Sequence, residues 1–282
     1  MRSGSTQRNF LVTIALAVVV GLAIATVGLM PWNIFAQLNV RWWPHLPWCV
    51  PVGLLWLFLF WRYLNGTGPP ASTMQSRREL LRARPLYGPA ARWCAFASAS
   101  GLIALLMLYF VTIQFVDLPP DAFRPRSVAA LPPAVVIPAV LMTAVVAGVV
   151  EEAAYRGYMQ GILERRFRAP VAIAIVTVVF TGLHLLGGTK ILPLALPVCV
   201  TSIFLGALTA ITRSVLPATF VHLLADMVTL PVEWGLVGEL PVGRFYGIGL
   251  DGLLLLTLLI LVAGSAAATA ALLKLRSSVR FA

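Results

Sequence analysis

The sequence predicts an all-α fold, a polytopic transmembrane bundle of about eight helices. Three observations predict it. Hydrophobic residues make up 60% of the 282 positions and charged residues 11%, against roughly 45–50% and ~25% in soluble domains. The apolar residues are gathered into runs that approach or exceed the roughly 20 residues needed to cross ~30 Å of hydrocarbon. Nearly all the arginines lie in the short polar stretches between those runs.

The first run, Phe10–Met30, follows Arg2 and Arg8. It is longer than the roughly 7–15 residues of a signal-peptide core, so it reads as an uncleaved first helix. Trp48–Leu64 is the second span. Asn65-Gly66-Thr67-Gly68-Pro69-Pro70 then breaks the helix. Met74–Arg84 reads either as a short basic amphipathic helix on the inner membrane surface or as an irregular basic loop. Trp93–Val116 is the third span, and Asp117–Leu131, with Pro119, Pro120 and Pro125, reads as an outer loop. The remaining spans are Ala134–Arg165, Pro170–Leu186, Leu192–Ile211, Val215–Leu230 and Ile248–Leu273. Trp32, Trp42, Trp43, Trp48, Trp61 and Trp93 fall near span ends, where interfacial anchors belong. The expected organisation is a segment 1–131 with three helices and a basic loop, a polar-bearing core 132–232, and a last helix within 233–282.

The net charge of +11 is dispersed over helix ends and forms no single patch, which argues against nucleic-acid binding. With the amino terminus inside, fifteen basic residues fall on the inner side and only Arg41, Arg124, Arg126, Lys190 and Arg244 on the outer. That bias places both termini in the cytoplasm. Richness in Ala, Arg and Pro suggests a bacterial inner membrane as the location. Cys49, Cys94 and Cys199 sit in or beside apolar segments without metal-site spacing and read as small apolar filler.

Ionisable groups inside a membrane span are costly, so each is a functional-site candidate. Glu79 falls in an inner loop and Glu164 near an inner helix end. Asp117, Asp121, Glu233 and Glu239 fall in expected outer loops, and Asp251 near the start of the last span. Glu151, Glu152 and Asp226 remain deep in apolar context, with His184 and His222; His45 lies in an outer loop. They form three clusters on three helices: Glu151-Glu152-Ala-Ala-Tyr155-Arg156, Phe180-Thr-Gly-Leu-His184 and His222-Leu-Leu-Ala-Asp226. Glu152 and Arg156 are four apart and share a helix face, so they can neutralise one another. Glu151 is turned by about 100° from Glu152. Phe180 lies one turn before His184, and Asp226 one turn after His222, where it can orient the imidazole. At ~1.5 Å per residue, Glu151 is ~21 Å, His184 ~24 Å and His222 ~14 Å from the inner surface marked by Arg165, Arg168 and Arg213. All three fall within the hydrocarbon.

EExxxR, FxxxH and HxxxD in this order on successive helices resemble the family of CAAX prenyl proteases and bacteriocin-processing enzymes. The resemblance spans Val135 to about Leu230. It implies a glutamate-dependent intramembrane endopeptidase that needs no metal or other cofactor and cuts a membrane-anchored protein or peptide. Carried over by position, Glu151 activates water, His184 holds it, and His222 with Asp226 stabilises the oxyanion. Glu152, Arg156 and Phe180 support them. Relatives often carry Asn at the last position. As an anion Asp226 cannot donate to an oxyanion, so it is either protonated or orients His222.

Two histidines and two glutamates are also enough to ligate zinc, although no HExxH helix accompanies them. Two further readings stay open: a proton-coupled transporter, for which no inverted repeat is visible, and a non-catalytic peptide-binding or immunity scaffold.

Overall fold

The computed structural model describes residues 2–116, 131–186, 189–236 and 252–280. Outside the described residues lie the expected outer loop with Asp117, Asp121, Arg124 and Arg126, together with Glu239, Arg244, Asp251 and the start of the last expected span. The side chains of Arg2, Arg8, Lys190 and Arg280 also lie outside them.

The chain is an all-α polytopic membrane protein, and no strand occurs among the described residues. The helices are α1 (Arg2–Trp42), α2 (Cys49–Leu64), α3 (Met74–Leu81), α4 (Gly88–Gln114), α5 (Pro133–Glu151), α6 (Gln160–Glu164), α7 (Ala169–Leu185), α8 (Ala195–Thr212), α9 (Leu216–Glu233) and α10 (Gly252–Arg280). Between α5 and α6 runs a π-helical stretch, Glu152–Met159, so that Pro133–Glu164 is one continuous rod of 32 residues. Proline sits in the first turn of α4, α5, α7 and α9. There its missing N–H is one that the helix could not have paired.

Each of the eight expected spans coincides with a helix. Five of the described helices are long and apolar enough to cross a membrane: Phe10–Trp42, Gly88–Gln114, Pro133–Glu164, Leu192–Thr212 and Gly252–Val279. Cys49–Leu64 and Ala169–Leu185 are shorter apolar helices. The eighth, α9, carries His222, Asp226 and Glu233.

Two expectations need correction. The first helix does not stop at Met30 but runs through Pro31 to Trp42. Trp32 is therefore a core residue rather than an interfacial anchor: it is buried and donates its indole N–H to the Thr143 hydroxyl on α5 at 3.1 Å. Glu233 is not in a loop. It closes α9, which continues two residues past Pro231.

The basic connection after α2 folds as a helix, α3. Its Arg77 is buried over the Tyr63 ring at 4.0 Å and donates to the carbonyls of Tyr63 and Gly68. Burying the guanidinium there ties α3 to the Tyr63 carbonyl at the end of α2 and to the Gly68 carbonyl in the connection.

The rod Pro133–Glu164 is the axis of the fold. It packs on α1 and α2 along one side and on α9 along the other, while α7 pairs with α8 and α4 with α10. Contact with α9 is close at Gly148, where a Cβ would lie 2.8 Å from Leu223 Cβ and 2.9 Å from its Cα. This approach brings the next turn of the rod, with Glu151 and Glu152, against the turn of α9 that carries His222. Polar pins fix α8 to its neighbours: Thr177 and Ser202 hydroxyls bond at 3.0 Å, and the buried Gln160 amide donates to the Gly206 carbonyl at 3.0 Å.

Candidate active site

The three expected clusters meet. Glu151 ends α5, Phe180 and His184 lie on α7, and His222 and Asp226 lie on α9. All five line one cavity of about 350 Å³, which α4 and α8 complete with Leu105, Tyr109, Val198 and Thr201. Sites for small ligands run from ~300 to 1,000 Å³, so this space suits a few residues of an extended peptide.

Glu152 and Arg156 lie behind the cavity wall with fully buried side chains. One oxygen of Glu152, Oε1, accepts from Arg156 Nη1 at 2.8 Å and from His222 Nδ1 at 2.8 Å. The spacing of Glu152 and Arg156 made their pairing readable. The bond to His222 was not readable, because it depends on how α9 docks against the rod. It fixes the imidazole: Nδ1 must carry the proton that the carboxylate accepts, and Nε2 turns to the cavity. There Nε2 is 3.5 Å from Asp226 Oδ2 and 3.9 Å from Glu151 Oε2. Asp226 is thus the looser partner of His222, and Glu152 the tighter.

Phe180 ties these groups together. Arg156 Cζ sits 4.4 Å above its ring centroid, the His184 ring is 4.4 Å away, Tyr155 meets it edge-on at 5.1 Å and His222 at 6.3 Å. Arg156 Nε and Nη2 have no hydrogen-bond partner among the described residues, and the π-face of Phe180 supplies part of what an acceptor would. Glu152 Oε2 likewise has no hydrogen-bond partner among the described residues.

His184 Nδ1 is 2.8 Å from the Phe180 carbonyl. A carbonyl only accepts, so Nδ1 donates. In the neutral ring Nε2 then keeps its lone pair for another partner.

Sequence reasoning missed two features. The π-helical turn gives no signal in apolar periodicity, although such turns recur at functional sites. Tyr109 and Glu233 also line the cavity. They interact with each other directly, the phenol against the carboxyl group, two turns along α9 from Asp226. Among the described residues, no group of three or more His, Cys, Asp and Glu is arranged to hold a metal ion.

Residues 133–228 match the family model of Rce1-like type II CAAX prenyl endopeptidases. This segment is a CAAX-protease domain. It begins with α5 and ends within α9, so Glu151, His184, His222 and Asp226 lie inside it while Tyr109 and Glu233 lie outside. The activity that goes with it in general terms is that of an endopeptidase working in a membrane. No curated protein and no solved structure matches the chain.

Proposed function

We propose that the CAAX-protease domain hydrolyses a peptide bond of a membrane-anchored protein or peptide with water activated by Glu151. The observation that supports this is the shared cavity of Glu151, His184, His222 and Asp226, three helices contributing to one polar pocket. Water sits between Glu151 and the neutral His184. The Glu151 carboxylate takes one of its protons, and Nε2 of His184 accepts the other in a hydrogen bond. The water oxygen forms its bond to the carbonyl carbon as the carbonyl π-pair moves onto oxygen. His222, held by Glu152 through Nδ1, donates from Nε2 to that oxyanion. A donor fixed before the reaction stabilises developing charge at no cost of reorganisation. As the intermediate collapses, the C–N bond breaks and Glu151 passes its proton to the departing nitrogen, leaving an amine and a carboxylic acid whose remaining proton passes to solvent.

In this reading Asp226 keeps Nε2 of His222 aimed and charged and donates nothing itself. Glu152, Arg156 and Phe180 position the two histidines and take no part in proton transfer. The membrane is a bacterial inner membrane, with the basic helix ends and both termini in the cytoplasm.

The test uses the full chain in proteoliposomes with membrane-anchored peptides as substrates, alongside Glu151→Ala and His184→Ala. The expected result is cleavage by the wild type, loss in both variants and indifference to chelators. Undiminished cleavage by Glu151→Ala overturns the mechanism. So does chelator sensitivity reversed by zinc. Proton-coupled uptake dependent on Glu151, without cleavage, favours a carrier.

A further inference from the structure

A second polar cavity, of about 410 Å³, opens at the helix ends where α3, α6, α7 and α8 meet. Its charged side chains are Arg82, Arg84, Arg165, Arg213, Glu79 and Glu164, which leaves two positive charges in excess. Both carboxylates are engaged. Arg82 Nη1 is 2.6 Å from Glu164 Oε2, and Arg165 Nη2 is 3.8 Å from Glu79 Oε2. Glu164 Oε1 accepts from Gln160 at 2.7 Å. Arg84 and Arg213 have no carboxylate partner among the described residues, and Arg82 Nη2 is buried without any hydrogen-bond partner there.

The arginines are held in place. Arg82 and Arg213 terminate α3 and α8 in the left-handed region, at φ 54° and 51°, where glycine is the usual occupant. Their two segments are bonded side by side: Val215 N–H donates to the Arg82 carbonyl at 3.1 Å, and the Ser214 hydroxyl to the Arg84 carbonyl at 2.5 Å. This is a built cluster of cations, and an anion with several oxygens matches it.

Arg84 also borders an apolar trough of about 410 Å³ between α4 and α9, walled by Leu86, Leu102, Phe220 and Leu224. A cationic pocket and an apolar trough that share one arginine have the two-part chemistry of a phospholipid. We propose that Arg82, Arg84, Arg165 and Arg213 bind the phosphate of an anionic membrane phospholipid, with one of its acyl chains in the α4–α9 trough. The site lies apart from the cavity of Glu151 and His222 and does not depend on the reaction assigned there.

The experiment is native mass spectrometry of the full chain released from nanodiscs containing phosphatidylglycerol and phosphatidylcholine. The wild type is expected to retain one phosphatidylglycerol in preference to phosphatidylcholine. In the double variant Arg84→Gln/Arg213→Gln that preference falls about thirtyfold, given the roughly 1 kcal/mol that each surface cation contributes toward anionic lipid. Arg78→Gln/Arg166→Gln, exposed arginines outside both cavities, loses the same charge and is expected to behave as wild type. Ala99→Phe, at an exposed position lining the trough, is expected to lower retention as well. Equal losses in the two double variants would mean diffuse attraction and overturn the proposal. Displacement of the lipid by glycerol phosphate at matched concentration would make it a site for free phosphate, and also overturn it.

Discussion

Two arginine–glutamate pairs with nearly the same geometry do different work in this molecule. Arg156 meets Glu152 at 2.8 Å with both side chains fully buried, and Arg82 meets Glu164 at 2.6 Å with side chains 11% and 19% exposed. The rim pair has water nearby to take over if it breaks. The buried pair has none, and its carboxylate also holds His222. Burying two charges costs several kcal/mol per ion, so such a pair is poor evidence for stability. What it supplies here is position: one oxygen fixes an arginine over Phe180 and an imidazole toward the cavity.

The comparison breaks or sharpens on five substitutions. Glu152→Ala strands Arg156 and His222 and should cost about 3–5 kcal/mol, read as a fall in the unfolding midpoint in detergent, with cleavage lost. Glu164→Ala at the rim should cost about 1 kcal/mol, and equal losses would erase the distinction. Glu151→Gln should lower turnover by roughly 10²–10⁴, the usual worth of a general base, with the unfolding midpoint unchanged. A large fall in that midpoint would give Glu151 a structural role. Gly148→Ala forces a Cβ against the Leu223 backbone and should cost about 1–3 kcal/mol. Turnover should fall with it, because α9 carries His222 away from Glu152; full activity would show that the docking tolerates a shift. Glu79→Gln, facing an exposed Arg165 at 3.8 Å, should change stability by less than about 0.5 kcal/mol.

Much of this was legible in the sequence, for definite reasons. Runs of apolar residues long enough to span a bilayer located the eight expected spans, since lipid leaves the backbone no other way to pair its polar groups. The cost of ionisable groups in hydrocarbon singled out Glu151, Glu152, His184, His222 and Asp226. What stayed hidden depended on packing between helices. Nothing in local spacing reveals that Glu152 reaches across to His222, or that Tyr109 faces Glu233. Glu233 read as a loop residue because the expected span stopped at Leu230, whereas α9 runs through Pro231 to Glu233. Trp32 read as an anchor because the expected first span stopped at Met30, whereas α1 runs on through Pro31 to Trp42.

The π-helical stretch has a consequence for which insertions and deletions the chain can bear. All eight residues from Glu152 to Met159 are buried, and the widened turn sets the angular offset between Glu151 and the far end of the rod at Glu164. Deleting one residue there would still leave a good helix of apolar composition. It would also swing Gln160 and Glu164 by about 100°, away from Gly206 and Arg82. The hydrolytic cavity and the cationic rim are therefore geared to one another by a residue count, and a chain one residue shorter at this place would mesh at one end only.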